Sequence, residues 1–209
     1  GYMNVFCHEG DETRLTAGLG EIWKMLTLTL KRYACHVTSH VPVTAALELK
    51  EKHKIQGDDI ASIRIEGSEK MFSHHNILEP NDMTMAQYSA PFNVALSFYR
   101  NPRQPESFSE EARNDAKIRA LCRNVKVEVR KDPVKNNPLA SRVTVRLKDG
   151  REFTEDLAYF PGMPQQPLNH DQLREKFTTI TQSVLGDTAG KLFDKLSAIE
   201  TIGNMREAI

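Results

Sequence analysis

"KMLTLTLKRYACHVTSHVPVTAALELKEKHKIQGDDIASIRIEG", residues 24–67, decides how the chain is read. Its first part alternates. Met25, Thr27 and Thr29 fall on one side and Leu26, Leu28 and Leu30 on the other, which predicts a strand over 25–32. The period then changes. Val43, Ala46, Leu47 and Lys50 recur at helical spacing to about His53, with Ser39 as the expected N-cap and Pro42 tolerable in the first turn. "QGDD" breaks the chain, and Ile63 and Ile65 alternate with Arg64 and Glu66, a second strand over 60–66. The expectation is a β-α-β unit with the polar stretch "KRYACHVTSH", residues 31–40, at its first strand-to-helix junction.

Outward from this unit, "DETRLTAGLGEIW" opens with Asp11 as a cap and is stopped early by Gly18 and Gly20. Toward the C-terminus, "SHHNILEPNDM" reads as irregular, and "TMAQYSAPFNVALSFYR" as a helix over 84–99 that Pro91 kinks or starts. "SEEARNDAKIRALCR" is a helix capped by Ser109, with acids first and bases last, as the helix dipole favours. "NVKVEVR" alternates as a strand over 124–130. "SRVTVRLKDGREFTEDLAY" is a hairpin over 142–158. A two-residue Asp149-Gly150 turn would set Val145 against Thr154. A three-residue loop, Lys148 to Gly150, sets it against Phe153 and is favoured, with Gly150 left-handed. After "PGMPQQPLN", Leu173, Phe177, Ile180 and Val184 predict one helix and Leu192, Leu196 and Ile199 another, within 169–200. The fold class is α+β: an α/β domain with a mixed or antiparallel sheet, plus C-terminal helices. The segments are 1–23, an N-terminal stretch; 24–160, the α+β domain; and 161–209, a helical tail.

Composition narrows the function. The 209 residues are 39% hydrophobic and 27% charged, ordinary for a chain that buries a sizeable core. Lys plus Arg equals Asp plus Glu at 28 each, which argues against a dominant nucleic-acid surface. No apolar run is long enough to cross a membrane, and "GYMNVFCHEGDE" lacks the layout of a secretion signal. The three cysteines, Cys7, Cys35 and Cys122, lie far apart and form no C-x-x-C pair, so neither a disulfide framework nor a metal cluster is expected. The expectation is a soluble, cytoplasmic protein.

The 31–40 stretch carries the candidate chemistry. A strand-to-helix loop gathers free backbone N–H groups and the positive end of a helix dipole. With Lys31 and Arg32 in front, that combination suits a carboxylate or phosphate, and His36 and His40 add proton-transfer groups near neutral pH. If His40 opens the helix, His36 precedes the cap, so the pair is not an i,i+4 metal grip. The plainer reading is a solvated turn whose histidines cap the helix or bond to backbone. The adjacent pair His74-His75 is a weaker candidate, because neighbouring side chains rarely face the same way. Cys35 reads as a small buried residue rather than a nucleophile.

"LKRYACHVTSHVPVTAALELKEKHKIQGDDIASIRI" resembles the MmgE/PrpD family, which includes 2-methylcitrate dehydratase and cis-aconitate decarboxylase. "HNILEPNDMTMAQYSAPFNVALSFY" and "LKDGREFTEDLAYFPGMPQQPLNHDQLREKF" are similar to its following segments, so the resemblance covers essentially the whole chain. It implies the lid domain and tail helices of a lyase about twice this length. The N-terminal helical domain is missing, the tail packs on that domain, and members tend to form homodimers. It implies cofactor-free, metal-free work on a polycarboxylate such as 2-methylcitrate, with a decarboxylase-like, isomerase-like or epimerase-like reaction as the alternative within enzymes. A non-catalytic binding module of the same fold is the alternative outside them. Lys31, His36 and His40 are the implied catalytic residues; Lys31, Arg32, Ser39 and Asn76 the substrate-binding ones. Asn76 falls where the decarboxylase has a site tyrosine. The isolated chain is expected to be inactive.

Overall fold

Apolar alternation between two breaks makes Ile60–Gly67 the central strand of the protein. The structure is a computed structural model and describes residues 2–8, 10–204 and 206; residues 1, 9, 205 and 207–209 of the terminal segments lie outside the described residues. Its helices and strands are, in chain order, α1 (Tyr2–Phe6), α2 (His40–His53), β1 (Ile60–Gly67), α3 (Glu69–His74), α4 (Met83–Tyr88), α5 (Ala90–Ser97), α6 (Glu110–Asn114), α7 (Ala116–Arg123), β2 (Val125–Val129), β3 (Ser141–Leu147), β4 (Glu152–Leu157), α8 (His170–Leu185) and α9 (Thr188–Ser197). The architecture is α+β with a mixed sheet in the order β2-β1-β3-β4. β1 runs parallel to β2, with Ile63 opposite Val125, and antiparallel to β3, with Ile63 opposite Val145. Helices α2, α5 and α7 pack together and onto the sheet. Leu49 of α2, Phe92 and Leu96 of α5 and Ile118 of α7 meet Ile63, Ile65, Val143 and Val145 in one core. Each such side chain, fully buried, contributes about 1.5–3 kcal/mol.

The strand expected over 25–32 is not formed. Lys24–Thr27 is a 3-10 turn, and the chain from Leu28 to His36 is irregular. Alternation makes a strand only where the segment is carried to a partner strand, and the expected partner is β1. Both sides of β1 are filled, by β2 and β3, and Leu26 and Leu28 are left 78% and 61% exposed. The β-α-β unit through 25–32 is therefore replaced. The parallel pair is β1 with β2, joined through α3 to α7. The incoming segment is held by the backbone bond from Leu30 N–H to Gly162 O at 2.8 Å and by the Arg32–Glu175 ion pair.

Helix α2 occupies the expected 40–53. The helix expected over 84–99 breaks at Ser89. The Ser89 hydroxyl accepts from Phe92 N–H at 2.9 Å, which starts α5 with Pro91 in its first turn, where a missing N–H costs nothing. The Ser109 cap is present, its hydroxyl accepting from Ala112 N–H at 3.3 Å. The chain restarts at Asp115, whose carboxylate accepts from Lys117 N–H at 2.9 Å. The hairpin register is the one that the apolar pattern favours: Val145 faces Phe153 and Gly150 is left-handed at φ +91°. The six-residue α3, capped by Ser68, has no counterpart in the sequence reading, and only its last two residues fall in the stretch read as irregular.

The tail forms two helices. A reciprocal capping box starts α8: Asn169 Oδ1 accepts from Gln172 N–H at 2.9 Å, and Gln172 Oε1 from Asn169 N–H at 3.0 Å. α8 packs on α9 through Phe177 and Phe193, ring centres 5.6 Å apart. Its outer face carries Ile180 and Val184, 45% and 85% exposed. Glu175 ties α8 to the rest by ion pairs with Arg32 and Arg103.

Candidate functional site

The 31–40 segment is folded around His40. Tyr33 N–H donates to His40 Nε2 at 3.3 Å. A backbone amide only donates, so Nε2 accepts, the proton sits on Nδ1, and Nδ1–H donates to His36 O at 3.2 Å. The ring is fully buried between Tyr33 and Phe160, centroids 5.2 and 4.7 Å away. Burial is the main force on it and pushes its pKa down from 6.5 to about 4, so it stays neutral at pH 7. The proton-transfer role expected of His40 does not fit this position: both nitrogens are spent inside the chain, and they hold the turn onto the start of α2.

Ser39 stands in the expected N-cap position of α2 but makes no side-chain cap bond, and its backbone is already helical (φ −84°, ψ −8°). The capping side chain is that of His36, one turn earlier. Its backbone is extended, and its Nδ1 accepts from Thr38 N–H at 3.3 Å, capping the 3-10 turn Val37–Ser39 that runs into α2. Ser39 is buried, with its hydroxyl accepting from Asn93 Nδ2 at 3.2 Å, so it does not face a substrate.

His36 is presented to solvent. Its N–H donates to Gln87 O at 2.9 Å. Its ring stacks on His75, centroids 4.4 Å apart and planes at 25°, and lies 4.6 Å from Tyr88. Partial burial, with His75 and Lys31 nearby, pushes its pKa below the usual imidazole range. Lys31, Tyr33, Ala34, Cys35, His36, Gln87 and Tyr88 line an open cleft of about 210 Å³. Lys31 is exposed there, and among the described residues no carboxylate pairs with it. Of the implied catalytic residues, Lys31 and His36 thus share one cleft and His40 lies behind it.

The implied binding residues fare less well. Arg32 turns away to Glu175 at 3.4 Å and lies outside the cleft lining. Asn76 is exposed beyond α3, also outside the lining. His74 and His75 face apart: His74 is exposed, its Nδ1 2.7 Å from Ser73 Oγ, while His75 is 3% exposed beneath His36. Burial pushes the Cys35 thiol up to about 12, which rules out a ready thiolate. Gln87 and Tyr88 escaped the sequence reading, and His75 entered it only as half of the weaker His74-His75 candidate. The one available signal was Ser89-Ala-Pro91, which stops α4 and places Gln87 and Tyr88 at a helix end. Among the described residues no group of three or more His, Cys, Asp or Glu could hold a metal ion, and no helix is long and apolar enough to cross a membrane.

The chain is similar to cis-aconitate decarboxylase of Mus musculus, 24% identical over 183 residues, covering 84% of this chain and 37% of that protein. It is also similar to cis-aconitate decarboxylase of Aspergillus terreus, 24% identical over 197 residues, covering 88% and 40%. A third relative is the cis-aconitate decarboxylase-like protein oryM of Aspergillus oryzae, at 21% over 225 aligned residues, covering 100% and 46%. The chain therefore spans less than half the length of these curated relatives. The family description "MmgE/PrpD C-terminal domain" matches residues 33–198, from the buried Tyr33 to the end of α9. On that match, the chain belongs to the MmgE/PrpD family and carries its C-terminal domain.

Proposed function

We propose that this chain is the lid part of a cofactor-independent lyase acting on a polycarboxylate such as 2-methylcitrate, with Lys31 and His36 as its contribution to the site. The observation that carries the reading is the cleft in which an unpaired ammonium and a half-exposed imidazole stand together. Lys31 neutralises a substrate carboxylate; at about 4 Å and an effective dielectric near 20, that attraction is about 4 kcal/mol before desolvation. His36 has its Nδ1 occupied by Thr38 N–H, so its proton is on Nε2, a donor toward the cleft. In a dehydration, a proton leaves the carbon beside a carboxylate, and its electron pair forms the double bond as the hydroxyl departs from the neighbouring carbon. The hydroxyl leaves as water by taking the Nε2 proton of the imidazolium form of His36, which becomes neutral imidazole; the lowered pKa makes that imidazolium a stronger acid. Such proton transfer contributes roughly 10²–10⁴-fold. The base for the carbon proton is assigned to the N-terminal half that longer family members carry, since His40 is sealed behind the turn.

The same reading takes 24–160 as the lid, 161–209 as a tail that packs on the N-terminal helical domain, and a homodimer as the assembly. Exposed Leu19, Trp23, Leu26 and Val184, each more than two-thirds accessible, support a covering partner on those faces. A second reading, decarboxylation of cis-aconitate with His36 protonating the carbon that loses carbon dioxide, is favoured by the names of the relatives. Assay of a polypeptide joining both halves against 2-methylcitrate, citrate and cis-aconitate tests both. Alkene formation from 2-methylcitrate supports the first, carbon dioxide from cis-aconitate the second, and no turnover of any of the three contradicts the polycarboxylate reading.

A further inference from the structure

His75, beneath the cleft, has a buried ring nitrogen without a hydrogen-bond partner. Its Nδ1 lies 3.0 Å from Tyr88 O, and a carbonyl only accepts, so Nδ1 carries the proton. Its Nε2 is then a bare lone pair. That atom is buried and has no hydrogen-bond partner, in a side chain only 3% exposed. Buried nitrogens of this kind are rare because each costs about 1–3 kcal/mol. The ring directly against it is His36, at 4.4 Å.

We propose that His36 and His75 form one proton-holding unit: the stacked pair carries at most one extra proton, and His75 is a positioning residue whose ring supports His36 from beneath and opposes its protonation. The proposal rests on the reading of His36 as the cleft's proton donor. A first extra proton has two places to go, and each is costly. On His36 Nδ1 it breaks the cap bond to Thr38 N–H. On His75 Nε2 it places charge where no acceptor waits. A second proton would set two cations about 4 Å apart, which the surroundings do nothing to relieve. Among the described residues, the groups that act on the pair are Lys31 from the loop, Lys70 and His74 from α3, and Tyr88 from α4, with no carboxylate among them. Burial, first among the causes for both rings, pushes both pKa values down. At neutral pH the pair is therefore uncharged, and His36 offers the substrate a hydrogen rather than a lone pair.

Nitrogen-15 NMR of the histidine rings in this chain, across pH 4 to 8, tests the unit directly. The expected wild-type spectrum shows His36 protonated at Nε2 and His75 at Nδ1, and on acidification one proton enters the pair well before the second. His75→Phe keeps a ring under His36 but no nitrogen, so His36 should then titrate alone and at higher pH than in wild type. His75→Asn keeps an amide donor for Tyr88 O should the Phe variant fail to fold, and it should raise the His36 titration in the same way. Independent titration of the two rings in wild type, an Nδ1–H form of His36, or an unchanged His36 titration in a folded variant overturns the proposal. None of these readouts depends on turnover. Loss of the polycarboxylate reading would show in the kinetics, and loss of the pair would show in the spectra.

Discussion

His40 makes stability depend on pH in a way that one substitution removes. In the folded chain its pKa lies at about 4; unfolded, it returns to 6.5. The folded state thus binds fewer protons than the unfolded one between those values. Stability from this group is fully present above pH 6.5 and is lost as pH falls toward 4, where the loss levels off. At 1.36 kcal/mol per tenfold change in proton affinity, the loss is roughly 3 kcal/mol, a large share of the 5–15 kcal/mol that typical domains possess. His40→Phe removes the titration and keeps most of the ring. It leaves Tyr33 N–H and His36 O buried without partners, so at pH 7 it should cost about 2–6 kcal/mol. Urea unfolding of both proteins, followed by far-ultraviolet circular dichroism at pH 7, 6, 5 and 4.5, gives the difference directly. His36, His75 and the surface carboxylates titrate in both proteins and cancel in that difference. The gap should narrow steadily below pH 6.5, by about 2.5 kcal/mol at pH 4.5. A gap constant to within about 1 kcal/mol over this range would refute the assignment of His40 as a neutral, internally bonded imidazole.

Three other outcomes follow from the same contacts. Gly162 sits at φ +120° with its carbonyl holding Leu30 N–H, and a Cβ there would collide with Leu30 O, so Gly162→Ala should cost about 1–3 kcal/mol and loosen the segment before Lys31, read by thermal melting and hydrogen exchange at Leu30. Glu175→Gln removes the exposed partner of Arg32 and Arg103; because such pairs are screened, stability should fall by less than about 1 kcal/mol, while proteolysis of α8 and α9 quickens. The chain alone should not turn over 2-methylcitrate or cis-aconitate, and a rate approaching ordinary enzyme values, roughly 1–10³ per second, would show that Lys31 and His36 suffice without a second half.

What could be read from the sequence was what local chemistry determines. The hairpin register followed from matching Val145 with Phe153 around a left-handed Gly150, a problem solved within about a dozen residues. Helix α2 and the two tail helices followed from apolar spacing. The strand expected at 25–32 failed because alternation is local whereas a sheet edge is not, and nothing in Met25 to Leu30 says that β1 already has two neighbours. The site divides in the same way. Lys31 and His36 were found in the sequence as a cation and an imidazole at one junction. That His40 turns inward depends on Tyr33, His36 and Phe160. That Arg32 is taken depends on Glu175, 143 residues away. The His75 and Tyr88 rings reach His36 only because the α3 and α4 region folds over the loop, a contact that no spacing rule contains.

Kinetics of Lys31→Ala and His36→Ala, in a polypeptide joining this domain to the family's N-terminal half, test the central claim most directly. Lys31→Ala should weaken substrate binding and turnover together, by removing the charge that meets a carboxylate. His36→Ala should leave KM nearly unchanged and lower kcat about 10²–10⁴-fold, by removing the proton donor. Near wild-type kcat and KM in both variants would contradict the account and return the 31–40 stretch to a polar turn at the head of α2.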